Sequence, residues 1–419
     1  MQSKRRVWFS MMTALLVLFS FITSNYALAK KAKSTTTQAE PKIIGTQPIP
    51  DTLLDAPPPP ALASKAYVLM DYDSGQILAA QNADEKVEPA SLTKMMTVYV
   101  VDHALAQGKI RLQDMVSVSS KAWKTGGSRM FLNVNARVPI QELIKGIIIQ
   151  SGNDASIAIA EHLAGSEESF AELMNAYAKS LGMSNTHFTN VTGLPDDNHY
   201  STTHDLAILA NALIRDFPDS YSLYSQKEYE YQGIKQPNRN RLLWRNEAVD
   251  GIKTGFTDNA GYCLAASGKK GNMRLVTIVM GARSDESRTV EANKLLNYGF
   301  NFYETHKLYP ALTPIKQTRI WMGKEKNLSL GLSQDLFITI PKGAYRKLQA
   351  TIELTDPLKA PTQVGQTMGK LMVQLPEQPL AERQIVSLQT IEKGSLLSRI
   401  CDYFHLSLDS LWKKAAVNS

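Results

Sequence analysis

Two groups of strand-like runs lie far apart in the chain with helical sequence between them, and this spacing constrains the fold most. Ala66-Tyr-Val-Leu-Met-Asp71 and Gln76-Ile-Leu-Ala-Ala80 read as strands joined by a turn at Asp73-Ser-Gly75. Strand character returns around 249–282, with Tyr262-Cys-Leu-Ala-Ala-Ser267 and Arg274-Leu-Val-Thr-Ile-Val-Met280. Between them the apolar period predicts helices over Ile140–Gln150, Ala155–Ala164, Ser169–Leu181 and His204–Arg215. Thr202 and Asp205, at capping-box spacing with Asp in place of Glu, announce the last of these. A further helix, Glu291–Tyr303, carries Leu295, Leu296, Tyr298 and Phe302. Distant strands enclosing helices predict one sheet in an α+β arrangement.

The flanks differ. Lys4-Arg5-Arg6, the apolar run Val7 to Ile22 and Ala27-Leu28-Ala29 are the three parts of a secretory signal, so residues 1–29 read as a signal peptide. Its removal takes the net charge from +7 to 7 − 3 = +4, and the working protein lies outside the cytoplasm. So mild an excess, with no basic stripe interleaved with aromatics, does not argue for nucleic-acid binding and is compatible with work near an anionic membrane surface. Residues 30–61 show no apolar period and end in Pro57-Pro-Pro-Pro60, which predicts a disordered linker. Cys263 and Cys401 read as a buried thiol and an unrelated tail thiol, with a disulfide as the alternative. No Cys/His cluster has metal-ligand spacing, so no metal or cofactor is expected, and none of the seven histidines is given a role.

After about residue 305 short strand-like runs punctuated by Gly and Pro appear at Ile315–Met322, Asp335–Ile340, Leu348–Leu354, Lys370–Leu375 and Gln384–Ile391. They predict a small all-β domain over 305–393. Residues 394–419 form an amphipathic helix, with Leu396, Leu397, Ile400, Cys401, Phe404, Leu408, Leu411 and Trp412 on one face. Such a helix suits a membrane interface; docking on its own protein is the alternative.

Three short motifs carry the chemistry. Ser91-Leu-Thr-Lys94 opens a helical run in which Leu92, Met95, Met96, Tyr99, Val100 and His103 share a face and which Gly108 ends. Residues three apart share a helix face, so the hydroxyl sits beside the amine near the positive end of the dipole. Ser-x-x-Lys recurs at Ser267/Lys270 and Ser410/Lys413, and Lys-Thr-Gly occurs at 124–126 as well as 253–255. Only Ser91-x-x-Lys94, Ser151-Gly-Asn153 and Lys253-Thr-Gly255 come in the order Ser-x-x-Lys, Ser-x-Asn, Lys-Thr-Gly, in helix, loop and strand contexts.

On this trio the region 62–304 resembles the low-molecular-mass penicillin-binding proteins that are serine D-alanyl-D-alanine carboxypeptidases. Asn185-Thr-His-Phe188, Gly193-Leu194 and Asp250-Gly-Ile-Lys-Thr-Gly255 look like that family's connecting segments, and the β-domain and tail match its layout. The resemblance implies a penicillin-binding/serine β-lactamase-like transpeptidase fold. It implies removal of the terminal D-alanine from peptidoglycan pentapeptide stems through an acyl-enzyme on Ser91, acylation by β-lactams, and no cofactor. It places the protein in the periplasm, attached to the outer face of the inner membrane by the last helix. Ser91 is then the nucleophile and Lys94 the base, provided burial and a cationic neighbour make the amine neutral. Ser151 relays a proton to the leaving amine. Asn153 bonds the substrate amide and holds Lys94, while Lys253 and Thr254 receive the substrate carboxylate. The N–H groups of Ser91 and Phe256 form the oxyanion hole. Arg239 and Arg288 assist carboxylate recognition, a structural ion pair being the alternative for each. Phe256 departs from the family pattern, where a polar residue such as His is usual. A β-lactamase would need a deacylating Glu, and Glu172-Leu-Met-Asn175 has the wrong spacing. A DD-endopeptidase and a catalytically silent cell-wall scaffold are further alternatives.

Overall fold

The structure, a computed structural model, describes residues 56–355 and 357–417, with side chains in the last helix as far as Leu408. The signal segment 1–29 and linker residues 30–55 lie outside the described residues. The end of that linker is bonded: the Pro57 carbonyl accepts from the Tyr298 hydroxyl at 2.7 Å, and Leu62 packs on the core.

The chain begins with β1 (Ala66–Asp71) and β2 (Ile77–Gln81), followed by a 3₁₀ turn at Ala90–Thr93 and α1 (Lys94–Ala106). Then come β3 (Met115–Ser117), α2 (Ser120–Lys124), β4 (Arg137–Pro139), α3 (Ile140–Ile149), α4 (Asn153–Ala164), α5 (Glu167–Ser180) and α6 (Thr203–Asp216). A hairpin of β5 (Glu228–Tyr231) and β6 (Ile234–Pro237) precedes β7 (Val249–Thr257), β8 (Gly261–Lys270), β9 (Met273–Ala282) and α7 (Asp285–Phe302). The distant strands do form one antiparallel sheet, in the order β2-β1-β9-β8-β7. Val68, Met70, Ala265, Val276 and Ile278 face the helices α1 to α6, while Leu69, Leu264, Ala266, Leu275 and Val279 face α7. Both faces are covered, which is why these strands read as continuous apolar runs. Leu295 and Leu296 of α7 are fully buried there, each contributing roughly 1.5–3 kcal/mol.

Helix α1 differs from expectation. Every residue from Lys94 to Asp102 is buried, not one stripe. It is the central helix of its layer, packed by α3, α4, α5 and α6. Ser91 sits in the 3₁₀ turn before it rather than in the helix. The capping box at Thr202 is half made: Thr202 Oγ1 accepts from Asp205 N–H at 3.0 Å, but the Asp205 carboxylate binds Asn185 N–H and the Thr186 hydroxyl instead. Helix α7 starts six residues before its apolar period, at Asp285, where Ser284 caps the Ser287 N–H. The β5–β6 hairpin was not foreseen. Gln232 (φ 49°) and Gly233 (φ 77°) make its two-residue turn, the left-handed pair a tight hairpin needs.

The C-terminal region is all-β, as expected. It comprises β10 (Tyr303–Tyr309), β11 (Lys316–Arg319), β12 (Asn327–Gly331), β13 (Leu336–Pro341), β14 (Gln349–Leu354), β15 (Thr367–Leu375) and β16 (Gln378–Ser387). Strands β10 and β13 pair with each other, and the other five form a sheet ordered β11-β12-β16-β15-β14. Buried Asp71 joins the two regions: it accepts from Ser74 N–H and Oγ, both at 2.8 Å, and from Thr305 Oγ1 at 2.6 Å.

The last helix, α8 (Leu396–Val417), turns its polar side to the protein. Asp402, 3% exposed, accepts from Arg319 (3.2 Å), Lys326 (2.9 Å) and the Met322 N–H (2.7 Å). Leu396, Leu397, Ile400, Phe404 and Leu408 point outward and are exposed. Among the described residues no helix is long and apolar enough to cross a membrane. Cys263 is buried in β8 and Cys401 exposed on α8, both as free thiols.

Candidate active site

A cleft of about 800 Å³ opens where the Ser91 turn, the α3–α4 junction, the loop before α6 and strand β7 meet. Ser91, Ser151, Asn153, Thr254, Arg239 and Phe256 line it, with Lys94 and Lys253 buried beneath. The three motifs, distant in sequence, thus converge on one site.

Close backbone approach sets the positions. Gly193, at φ +81°, lies so near the Ser91 turn that a Cβ would sit 1.8 Å from the Ala90 carbonyl oxygen. On the other side, a Cβ at Gly255 would sit 3.1 Å from Ser91 N, so β7 presses directly on the Ser91 backbone. Beyond Gly255, Thr257 Oγ1 and Asn259 Nδ2 both donate to the Glu88 carboxylate, tying the strand end to the segment ahead of Ser91.

The Lys94 Nζ lies 3.0 Å from Ser91 Oγ and donates to the Thr192 carbonyl at 2.6 Å. Burial lowers its pKa to about 7, with the positive charge of Arg239 adding to the effect and Asp154 opposing it. Such an amine is substantially neutral at neutral pH, so it can accept the serine proton. Lys253 is also pushed well below the usual lysine range, by burial first and then by Lys94, Arg239 and Arg288. Its Nζ donates to the Thr254 carbonyl at 3.1 Å.

Ser151 occupies a left-handed conformation, φ 60°, at the α3–α4 junction. Its hydroxyl is buried and has no hydrogen-bond partner among the described residues. Asn153 begins α4, donating from its N–H to Ser128 O and from Nδ2 to Gly126 O, both at 2.7 Å. Its Oδ1 likewise has no partner among the described residues. The expectation that Asn153 holds Lys94 is therefore corrected: the Thr192 carbonyl does so, and the asparagine amide is engaged with Gly126. The Lys-Thr-Gly at 124–126, set aside on order, lies beside the site all the same, and its glycine anchors Asn153. Asp154 fixes the same segment by accepting from Met130, Leu132 and Ala155 N–H groups at 2.9–3.0 Å.

The two arginines differ. Arg239 is exposed at the cleft and makes no ion pair among the described residues. Arg288 is buried and spent on the protein. It pairs with Asp285 and donates to the carbonyls of Gly255 (2.8 Å) and Cys263 (3.2 Å), fixing the end of β7. Phe256 is half-exposed and packs on Tyr262 with ring centroids 4.4 Å apart.

Sequence reasoning missed Thr192, which acts through a backbone carbonyl and so leaves no side-chain signal. It also missed the β5–β6 hairpin, which brings Gln236 and Asn238 to the cleft and whose Gln232-Gly233 turn was legible.

Comparison with known proteins agrees with this geometry. Residues 54–284 match the D-alanyl-D-alanine carboxypeptidase peptidase family, and 303–393 match the penicillin-binding protein 5 C-terminal domain. D-alanyl-D-alanine carboxypeptidase DacC of Escherichia coli is 46% identical over 358 residues, covering 82% of this chain and 88% of the relative. The crystal structure of penicillin-binding protein 5 from Haemophilus influenzae superposes with a TM-score of 0.78 at 44% identity, covering 80% of this chain and 99% of that one. Penicillin-binding protein D2 from Listeria monocytogenes, solved in an ampicillin-bound form, is similar at TM-score 0.54 and 31% identity, covering 58% of this chain and 100% of that one. The chain therefore belongs to the D-alanyl-D-alanine carboxypeptidase family, followed by the C-terminal domain of penicillin-binding protein 5.

Proposed function

We propose that this serine carboxypeptidase removes the terminal D-alanine of peptidoglycan pentapeptide stems by acyl transfer through Ser91. The observation that carries the assignment of roles is the 3.0 Å contact between Ser91 Oγ and a buried lysine amine lowered to about 7. Lys94 takes the hydroxyl proton as Oγ attacks the carbonyl between the two D-alanines. The oxyanion is met by the N–H groups of Ser91 and Phe256. Ser151 passes a proton to the leaving amine, and water then hydrolyses the ester. Lys253, Thr254 and Arg239 receive the terminal carboxylate, whose negative charge favours the ammonium form of Lys253. Asn153 Oδ1 accepts from the substrate amide. β-Lactams, whose carboxylate and strained amide copy this arrangement, acylate the same serine.

The cleft supports hydrolysis of peptides over the β-lactamase reading. Among the described residues its one lining carboxylate, Asp285, is held by Arg241 and Arg288, which leaves no carboxylate base for fast deacylation. The outward apolar face of α8 supports attachment to a membrane surface. Together with the signal-like residues 1–29, it supports a periplasmic location on the outer face of the inner membrane.

Ser91→Ala should abolish covalent labelling by a fluorescent penicillin and release of D-alanine from a pentapeptide. Undiminished labelling would refute the nucleophile. Removing residues 396–419 should free the protein from membranes with soluble activity intact; retention on the membrane would refute the anchor.

A further inference from the structure

We propose that His199 is a positioning residue for the reaction: its ring ties the loop that supplies the Thr192 carbonyl to the turn that carries Ser91, and so aims the Lys94 amine at the serine. The proposal rests on the reading of Lys94 as the base.

A neutral amine acts as a base through its lone pair. That lone pair faces Ser91 Oγ only if the N–H bonds point elsewhere. The Thr192 carbonyl, 2.6 Å away, is the acceptor that takes one of them. The direction of the lone pair therefore depends on where the loop 189–194 puts this carbonyl. Much of that loop is held only by itself: Asn190 Oδ1 accepts from the Thr192 and Gly193 N–H groups and the Thr192 hydroxyl. Among the described residues its side-chain ties to the rest of the site, besides the Lys94 amine on Thr192 O, include Thr97 Oγ1 to Val191 O (2.8 Å), Val191 N–H to Glu167 Oε1 (3.3 Å), and His199.

His199 is 3% exposed, and Phe188 packs edge-on against its ring. The Thr189 N–H reaches its Nδ1 at 3.1 Å. A backbone N–H can only donate, so Nδ1 accepts and Nε2 carries the proton. Nε2 then donates to Thr93 Oγ1 at 2.8 Å. Thr93 lies between the nucleophile and the base in sequence, inside the turn that Gly193 abuts. One ring thus spans both halves of the base's environment, and only its neutral form does so, since a protonated Nδ1 would oppose the Thr189 N–H. Burial agrees with the neutral form, lowering the pKa of His199 to about 4.

A bland packing role and a positioning role separate in variants. Gln offers the same pair of groups, an oxygen for Thr189 N–H and an N–H for Thr93, whereas Leu keeps the volume and loses both. Thr93→Val removes only the hydroxyl. Acylation by a fluorescent penicillin would be resolved into binding and acylation constants, D-alanine release into kcat and KM, and folding followed by circular dichroism. His199→Leu should lower the acylation constant and kcat by about 10- to 100-fold with KM little changed, because a misplacement of about 1 Å costs on this scale. His199→Gln should recover most of the loss. Thr93→Val should reproduce it, and the Leu/Val double variant should be no worse than either alone, as expected for a shared bond. A folded Leu variant with full acylation, a Gln variant as poor as Leu, or losses that multiply would overturn the proposal. Should the Leu variant not fold, normal acylation by Thr93→Val alone would overturn it. Penicillin labelling of Ser91→Ala would instead refute the underlying site.

Discussion

The pH dependence of acylation tests the site most directly. A lysine at its usual pKa of 10.5 has about one amine in 3,000 neutral at pH 7, whereas Lys94, at about 7, has about half. The shift is worth about 5 kcal/mol between the two protonation states and raises the concentration of usable base about a thousandfold. The base must be unprotonated, so the acylation rate should fall about tenfold per pH unit below 7 and level off above about 8. Stopped-flow acylation with a chromogenic cephalosporin between pH 5.5 and 9, under single-turnover conditions, reads this limb. Arg239→Gln removes the second cause of the shift, leaving burial in place. It should move the limb upward by up to about 1 unit and slow acylation at pH 7 by about fivefold or less. A rate flat across this range, or a limb centred above 9, would mean that Lys94 is not the base. A limb unmoved in a folded Arg239→Gln variant would mean that this guanidinium does not bear on it.

Other parts of the structure predict distinct outcomes. His199 has its pKa lowered from 6.5 to about 4, so the unfolded chain binds its proton more readily. That contribution, about 3 kcal/mol, is fully present above pH 6.5 and lost as pH falls through 4, a loss that His199→Gln should remove from denaturant titrations. Asp102 behaves oppositely: burial raises it to about 7, so its stabilising protonated state is lost as pH rises through 7. Asp102→Asn keeps the acceptor for Ser220 and should stabilise the protein by on the order of 4 kcal/mol at pH 8.5 and by less than about 2 kcal/mol at pH 5. A melt showing equal stabilisation at both pH values would refute this. Asp402→Ala strips Arg319, Lys326 and the Met322 N–H of their partner and should cost about 1.5–3 kcal/mol locally. It should expose α8 to limited proteolysis while β10–β16 stay resistant; an uncleaved tail would show that Asp402 is not the latch.

What the sequence disclosed, and what it hid, follows from which forces leave a pattern in it. The sheet was legible because strands buried on both faces need continuous apolar runs, as Leu275 to Met280 shows. The ordered motifs were legible because the proposed roles of Ser91, Lys94, Ser151 and Lys253 are played by side chains, which leave a sequence signal. Thr192 was hidden because it acts through its carbonyl, which any residue supplies. His199 was hidden because a lone histidine between two polar segments has no period, and its two partners lie 10 and 106 residues away in sequence. Helix α1 misled because an apolar stripe and an all-round apolar helix look alike when Thr97 and Asp102 interrupt the pattern; both polar side chains are buried and bonded instead. The 124–126 motif was set aside on order, and order along the chain could not show that Gly126 would anchor Asn153.

The free cleft holds several costly features at once. Ala90 (φ 47°) and Ser151 (φ 60°) are left-handed, each worth on the order of 1–3 kcal/mol. Ser151 Oγ and Asn153 Oδ1 are buried without a partner among the described residues, and two lysines, Lys94 and Lys253, are buried near enough for the charge of one to bear on the other. These costs persist because α1 is packed on all sides and Asp154 clamps the opposite wall. On the proposed roles, a bound acyl group with a carboxylate would relieve them in a specific way: the carboxylate would meet Lys253, the acyl amide Asn153 Oδ1, and the leaving nitrogen Ser151. If each of two such polar atoms gains about 1 kcal/mol on pairing, the acyl-enzyme should be about 2 kcal/mol more stable than the free enzyme. For a domain of this size that raises the melting temperature by about 4–8 °C or less, at the lower end for a large domain. Calorimetry of the penicillin-acylated protein, with acylation of Ser91 verified by mass, measures the shift. Ser151→Ala should raise the melting temperature of the free enzyme and shrink the gain on acylation, because the orphan hydroxyl is gone in both states. An acyl-enzyme that melts at or below the free enzyme would show that the cleft is strained against the acyl group rather than prepared for it.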